Sequence, residues 1–173
     1  FRDVLNVLDL YPGDPGPLGG ECAGEITAVG SGVEHLKPGD QVLALAPGSF
    51  ASYALTLAEF VAPRPTQLSP EEGATIPICF LTVYHALRHL GQLQPGERVL
   101  IHAASGGVGL AAIQIARQAG AEIFATAGSP RKRDYLRAQG IEHVFDSRSL
   151  AFADQIRAAT AGQGIDLVLN SLT

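Results

Sequence analysis

The alternation of apolar and polar positions changes its rhythm once along this chain, at Pro95-Gly96. Upstream the apolar runs are short, covering residues 24–29, 41–46 and 52–57. They are separated by turn-forming stretches such as Tyr11-Pro12-Gly13-Asp14-Pro15-Gly16-Pro17, Lys37-Pro38-Gly39-Asp40 and Ala46-Pro47-Gly48. Short aliphatic runs bounded by Gly and Pro predict strands. Of the 11 prolines only Pro130 lies beyond Pro95; proline is excluded from central strands and collects where a small barrel turns its corners. Ser69-Pro70-Glu71-Glu72 predicts a helix start: Ser69 caps, Pro70 suits the first helical position and Glu72 completes a capping box. Pro77 should interrupt that helix, and a second is predicted over residues 78–90, before Gly91.

Downstream, strand and helix patterns alternate. Strands are predicted over residues 98–103, 122–126, 143–145 and 166–170. Helices are predicted over 108–119, ended by Gly120, over 130–139, ended by Gly140, and over 150–160. Alternation at these lengths means βαβ units and a parallel sheet covered on both faces. The helix over 108–119 is apolar nearly all round, as one packed against a sheet is. The expected class is α/β, with a turn-rich barrel and connecting helices over residues 1–92 and a doubly wound parallel sheet over 93–173.

Composition narrows the function classes. The chain has 173 residues, 46% hydrophobic and 17% charged, enough to bury a core. A formal net charge of −5 gives no support to a nucleic-acid partner, and no apolar run approaches the ~18 residues of a membrane span. Cys22 and Cys79 are the only cysteines, which excludes a disulfide scaffold and a four-cysteine zinc site. The N-terminus carries no signal pattern, favouring a cytoplasmic location. The chain has no methionine and opens on Phe1-Arg2-Asp3, so it reads as a piece of something longer.

The sharpest chemical signal follows the strand at 98–103. Ser105-Gly106-Gly107-Val108-Gly109-Leu110-Ala111-Ala112 contains G-x-G-x-x-A with a strand before it and a helix after it. The glycines allow a tight turn and a close backbone approach that a Cβ would block, so a pyrophosphate can lie against the helix N-terminus. The hexamer alone is weak evidence; its context makes it strong. The next strand ends Ala125-Thr126-Ala127-Gly128-Ser129, without the acid that holds the ribose hydroxyls in an NAD site. Arg131, Lys132 and Arg133 follow at a helix start, where the dipole disfavours cations and Asp134 offsets only part of the charge. A 2′-phosphate beside Ser129, Arg131, Lys132 and Arg133 turns that conflict into an advantage, so the expected cofactor is NADPH.

A dinucleotide fold joined to a turn-rich barrel predicts hydride transfer. Zinc is not expected to polarise the substrate: Cys22 and Cys79 lack histidines at ligand spacing, and His85 and His89 read as a helix-surface pair without a nearby acid. The remaining chemistry is hydride attack on an activated alkene, with a tyrosine, a lysine or water supplying the proton.

The chain resembles the enoyl reductase domains of modular polyketide synthases and related fatty acid synthases, in the zinc-independent branch of the medium-chain dehydrogenase/reductase superfamily. The resemblance rests on Phe1-Arg2-Asp3-Val4-Leu5, Leu10-Tyr11-Pro12-Gly13, Gly19-Gly20-Glu21-Cys22-Ala23-Gly24 and Gly39-Asp40-Gln41-Val42. It continues through Phe80-Leu81-Thr82-Val83-Tyr84, His102-Ala103-Ala104-Ser105-Gly106-Gly107-Val108-Gly109 and Leu169-Asn170-Ser171-Leu172, spanning the chain in order. It implies a partial GroES-like barrel without its first strands, followed by the first part of a Rossmann sheet. The implied activity is NADPH-dependent reduction of an α,β-enoyl thioester on an acyl carrier protein, beside neighbouring synthase domains of the same polypeptide; the fragment alone is expected to be inactive. Zinc-dependent relatives carry Gly-His-Glu where this chain has Gly19-Gly20-Glu21, so the ligand histidine is missing.

By position, the resemblance implies proton delivery and control of the α-carbon configuration for Tyr11. It implies a proton-donor role for Lys132, which competes with phosphate binding by the same side chain. The family's acid in a Leu-Asp-Phe stretch is replaced here by Leu150-Ala151-Phe152, with Asp154 two places on as the candidate partner of Lys132. Thr82 and Asn170 resemble positions near the nicotinamide. A freestanding quinone or enoyl-CoA reductase, and a non-catalytic nucleotide-binding module, are the alternatives.

Overall fold

The computed structural model describes residues 2–14 and 16–171, and the chain divides into two compact units, Phe1–Ile78 and Cys79–Thr173. The first begins with a short helix, α1 (Arg2–Val7), for which the sequence pattern carries no signal. Its sheet is antiparallel and ordered β1-β2-β3, from β1 (Glu21–Glu25), β2 (Gln41–Leu45) and β3 (Val61–Pro63). Glu21 pairs with Leu45 and Val42 with Pro63. Along β2 and just past it, Val42, Ala44 and Ala46 are buried while alternate residues are not, the period of two expected of a half-buried strand. Pro63 stands on an edge strand, where a missing N–H costs no ladder bond.

The strand expected over residues 52–57 does not form. That segment is extended but unladdered; the Thr56 hydroxyl donates to the Leu45 carbonyl at 2.6 Å, and Tyr53 and Leu55 are exposed. It forms one wall of a cavity of about 350 Å³ whose floor includes Val42, Ala44 and Ala46. The first strand begins at Glu21 rather than at residue 24, and ends where Ile26 and Gly39–Asp40 exchange backbone bonds of 2.9–3.0 Å. The capping box forms as expected at α2 (Pro70–Gly73): Ser69 Oγ accepts from the Glu72 amide and Glu72 accepts from the Ser69 amide.

The second unit has a parallel sheet ordered β6-β5-β4-β7, from β4 (Arg98–Ile101), β5 (Glu122–Ala127), β6 (His143–Asp146) and β7 (Leu167–Leu169). In chain order within the unit this is 3-2-1-4, the strand order that opens a dinucleotide-binding fold, with its reversal between β4 and β7. Helices α3 (Pro77–Val83), α4 (Gly107–Ala119), α5 (Pro130–Ala138) and α6 (Ala151–Ala159) complete it.

Alternation along the strands sorts the two faces. Val99, Ile101, Ala125 and Ala127 join the cluster containing Ala112, Ile115 and Ala116 of α4 and Leu136 of α5. Leu100 and Phe124 point the other way, to Ile156 and Phe152 of α6. Val83 and Leu87 also belong to the larger cluster, so the helical stretch from Cys79 on packs with the second unit, while α2 stays with the first. After α3 the chain winds wider over Tyr84–Leu90, closing with Gly91 N–H to Ala86 C=O and Leu93 N–H to Leu87 C=O. This π-helical widening has no sequence signal; a Cβ on Gly91 would lie 2.8 Å from Leu167 Cδ2, so the close approach needs glycine.

Candidate functional site

The carboxyl ends of β4, β5 and β7 gather most of the residues singled out by sequence. Beyond β4 the His102 amide bonds to the Leu169 carbonyl at 3.1 Å, and the Ala104 amide to the Thr126 carbonyl at 3.0 Å, so the loop is pinned to both neighbouring strands. Ala103 takes a left-handed φ of 48°, which turns the chain back, and the Gly106 amide closes that turn on the Ala103 carbonyl at 2.9 Å. Helix α4 then starts with Gly106 as its N-cap and no side-chain cap. Its first backbone bond runs from Leu110 to the Gly106 carbonyl at 2.8 Å. The amides of Gly107, Val108 and Gly109 are therefore the uncapped donors of the helix start, at its positive end.

The glycines differ in purpose. A Cβ on Gly109 would sit 2.5 Å from Ala104 Cα and 2.6 Å from the Ala103 oxygen, so this residue lets the helix pack against its own entry loop. A Cβ on Gly107 would stand 3.1 Å from Cys79 Sγ of α3; Gly107 itself is exposed, leaving its face open to a ligand. Thr82 lies one turn after Cys79 on the same helix and is exposed. Asn170 directly follows β7, beside the β4 loop, and Ser105 is half-buried within that loop. Bare amides at a helix N-terminus and a cradle that a Cβ would fill suit a dinucleotide pyrophosphate.

His102 is a member of this edge that the motif reading passes over. Its Nδ1 lies 2.9 Å from the hydroxyl of buried Thr126, and its ring meets Phe152 edge-on at 5.6 Å. Burial pushes its pKa below the ordinary histidine value. The imidazole therefore ties β4, β5 and α6 together directly below the glycine loop. A polar residue immediately after the apolar run Val99-Leu100-Ile101 is the signal that points to it.

At the end of β5 the four expected phosphate ligands separate. Ser129 Oγ caps α5, accepting from the Lys132 amide at 3.4 Å. Arg131 and Lys132 are exposed, and among the described residues neither side chain forms an ion pair. Arg133 is engaged: its guanidinium bonds to the Ala127 carbonyl at 3.2 Å and pairs with Asp146 Oδ2 at 3.2 Å, with only 16% of its side chain exposed. Asp134 turns toward Arg137, at 2.9 Å. Asp154 pairs with Arg157 on its own helix at 3.2 Å, so the structure does not join it to Lys132. Tyr11 belongs to the first unit, where the Arg2 guanidinium carbon lies 5.3 Å from its ring centroid.

Also in the first unit, Glu21 Oε2 accepts from the Ile78 amide at 2.8 Å. A Cβ on Gly20 would meet Ile78 Cδ1 at 3.1 Å, so a side chain at the position corresponding to the zinc-ligand histidine would press on that isoleucine. Among the described residues, no group of three or more His, Cys, Asp or Glu is placed to hold a metal ion.

Residues 2–66 match the model of the alcohol dehydrogenase GroES-like domain and residues 107–173 that of the zinc-binding dehydrogenase family. The solved CurK enoyl reductase is 49% identical, with a TM-score of 0.91, over 99% of this chain and 55% of that one. The chain belongs to the medium-chain dehydrogenase/reductase superfamily. Within that superfamily its place is with the enoyl reductase domains of polyketide synthases.

Among curated relatives, the pikromycin polyketide synthase component PikAII of Streptomyces venezuelae is 49% identical over 174 residues. That match takes in 99% of this chain but 5% of the relative. The Escherichia coli quinone oxidoreductase solved with NADPH is 35% identical, with a TM-score of 0.85, over 98% of this chain and 53% of that one. The chain thus spans about half the length of these solved reductases. The GroES-like and Rossmann halves of the superfamily correspond to the antiparallel and parallel sheets described above. Among the described residues, no helix is long and apolar enough to cross a membrane.

Proposed function

We propose that this chain is part of an enzyme that uses NADPH to reduce an α,β-enoyl thioester held on an acyl carrier protein within a polyketide synthase module. The observation that carries the cofactor reading is the contrast along one sheet edge. Uncapped amides of Gly107, Val108 and Gly109 face the switch point, and β5 ends without an acid but beside the unpaired cations Arg131 and Lys132. The first suits a pyrophosphate and the second a 2′-phosphate. The substrate reading rests on similarity to synthase enoyl reductases along the whole chain.

In this reading Ser105 to Gly109 hold the pyrophosphate, Ser129, Arg131 and Lys132 the adenosine end, and Thr82 and Asn170 the nicotinamide end. NADPH supplies, when bound, the hydride that the β-carbon accepts. The proton for the α-carbon comes from Tyr11 Oη or from Lys132 Nζ; a lysine engaged on a 2′-phosphate is not free for that task, which favours Tyr11.

The test uses the full-length protein, NADPH and crotonyl or 2-methylcrotonyl thioester carried on an acyl carrier protein. The expected result is loss of reduced-nicotinamide absorbance with one saturated product per cofactor consumed. Binding of NADPH without that loss overturns the enzyme reading. The likeness to a quinone oxidoreductase supports one rival, and oxidation of NADPH by a simple quinone, with the thioester left untouched, would establish it.

A further inference from the structure

The helix at the start of the first unit carries a cation back onto Tyr11. After α1 the chain reverses: Asp9 takes a left-handed φ of 54°, and the Leu10 amide bonds to the Leu5 carbonyl at 2.8 Å. The reversal returns Tyr11 to Arg2, the first residue of the helix, whose guanidinium carbon lies 5.3 Å from the ring centroid. The same guanidinium reaches Gly16 later in the loop, where a Cβ would stand 3.6 Å from Nη2. The next side chain of α1 holds the other end of this loop. Asp3 Oδ1 accepts from the Gly19 amide at 2.8 Å, and the Gly19 carbonyl accepts from the Gly48 amide at 2.9 Å. Asp3 therefore ties α1 to the entry of β1, and Arg2 passes that anchorage on to Tyr11.

The Tyr11 ring is half-buried, and its hydroxyl forms no hydrogen bond among the described residues. The ring's pose thus comes from the guanidinium over it and not from a bond to its oxygen, which stays open to a proton acceptor. The helix itself does not call for a cation there, because the dipole disfavours positive charge in the first turn. A guanidinium within about 6 Å of a tyrosine centroid is attracted to the ring face.

We propose that Arg2 is a positioning residue for Tyr11, fixing the phenol so that one face of the substrate α-carbon receives the proton. The assignment rests on the enoyl reduction proposed above with Tyr11 as donor, and adds the side chain that sets the donor's pose. In that step the Tyr11 O–H bond breaks and a C–H bond forms at the α-carbon, using the electron pair left by hydride addition at the β-carbon. Solvent returns the proton to the phenolate, and Arg2 exchanges nothing.

The experiment follows the full-length protein with NADPH and 2-methylcrotonyl thioester on an acyl carrier protein, reading kcat, KM and the configuration of the saturated product. Arg2→Met should lower kcat by about two- to fivefold, the loss of one exposed cation–π contact, and turn a single configuration into a mixture. KM, NADPH affinity and melting temperature should stay near those of the wild type. Arg2→Lys keeps a cation over the ring and should recover most of the rate and configuration. In a Tyr11→Phe background Arg2→Met should change neither any further, since the hydroxyl it positions is gone. Suppose Tyr11→Phe alters the product but Arg2→Met does not, or Arg2→Met costs the same in both backgrounds, or Arg2→Lys recovers nothing. Any of these overturns the Arg2 assignment and leaves the Tyr11 reading standing. If Tyr11→Phe leaves rate and configuration as in the wild type, the Tyr11 reading falls and takes this assignment with it.

Discussion

The ends of β4 and β5 lie side by side on one sheet, and under the proposed function they hold the dinucleotide by different means. Beyond β4 the donors are backbone amides, and side chains are removed so that the main chain can come close; Gly109 has backbone atoms of Ala104 within 2.6 Å of where its Cβ would be. Beyond β5 the groups on offer are long cationic side chains, one of them, Arg133, already paired with Asp146. A site made of backbone tolerates no added atom, and its preference for an anion is set by the helix end rather than by any side chain. A site made of side chains tolerates volume and depends on which cations remain unpaired.

Gly109→Ala should have the largest effect, because the added carbon meets rigid main chain. Binding of NADPH and NADH should be lost together, and stability should fall by ~1–3 kcal/mol as the loop shifts; titrations of both cofactors and a melting curve check this. A variant that keeps either affinity breaks the contrast at its backbone end.

Next comes Arg131→Ala with Lys132→Ala. NADPH affinity should drop by about tenfold at low ionic strength and by less at high salt, as exposed charges are screened, with NADH nearly unchanged. Equal loss of both cofactors would mean that β5 does not discriminate by charge.

His102 tests how firmly the two ends are coupled. Burial depresses its pKa, so as pH falls the unfolded chain takes up a proton first and the folded state loses stability below about 6.5, levelling off below the lowered folded value. His102→Asn should flatten that part of a plot of melting temperature against pH. An unchanged slope assigns the pH dependence to other groups. The smallest effect on binding is expected from Tyr11→Phe, which lies at neither strand end. NADPH affinity should stay constant while the rate or the α-carbon configuration of a 2-methyl product changes; an unaltered product and rate remove Tyr11 from the chemistry.

Much of the second unit was legible because its signals are local. The strand-loop-helix at the glycines and the left-handed stop at Gly120 depend on residues within a few positions of one another, as does the cap of Ser69-Pro70-Glu71-Glu72 in the first unit. The segment over 52–57 misled because alternation carries no information about whether a partner strand is available to ladder with it. The wide turn at Tyr84–Leu90 was hidden because apolar spacing does not report the change in backbone bonding, and the close neighbour of Gly91, Leu167, comes from far along the chain. The basic run at Arg131-Lys132-Arg133 read as one site, yet its third member is held by a carboxylate thirteen residues on.

The sequence by itself determined the class of fold, the glycine loop and the absence of an acid after β5, since each follows from residue type and short spacing. Only the tertiary structure decided which cations are free. Whether an arginine is a ligand or a strut depends on what stands within a few ångströms of its guanidinium, and for Arg133 that neighbour, Asp146, arrives from a separate strand.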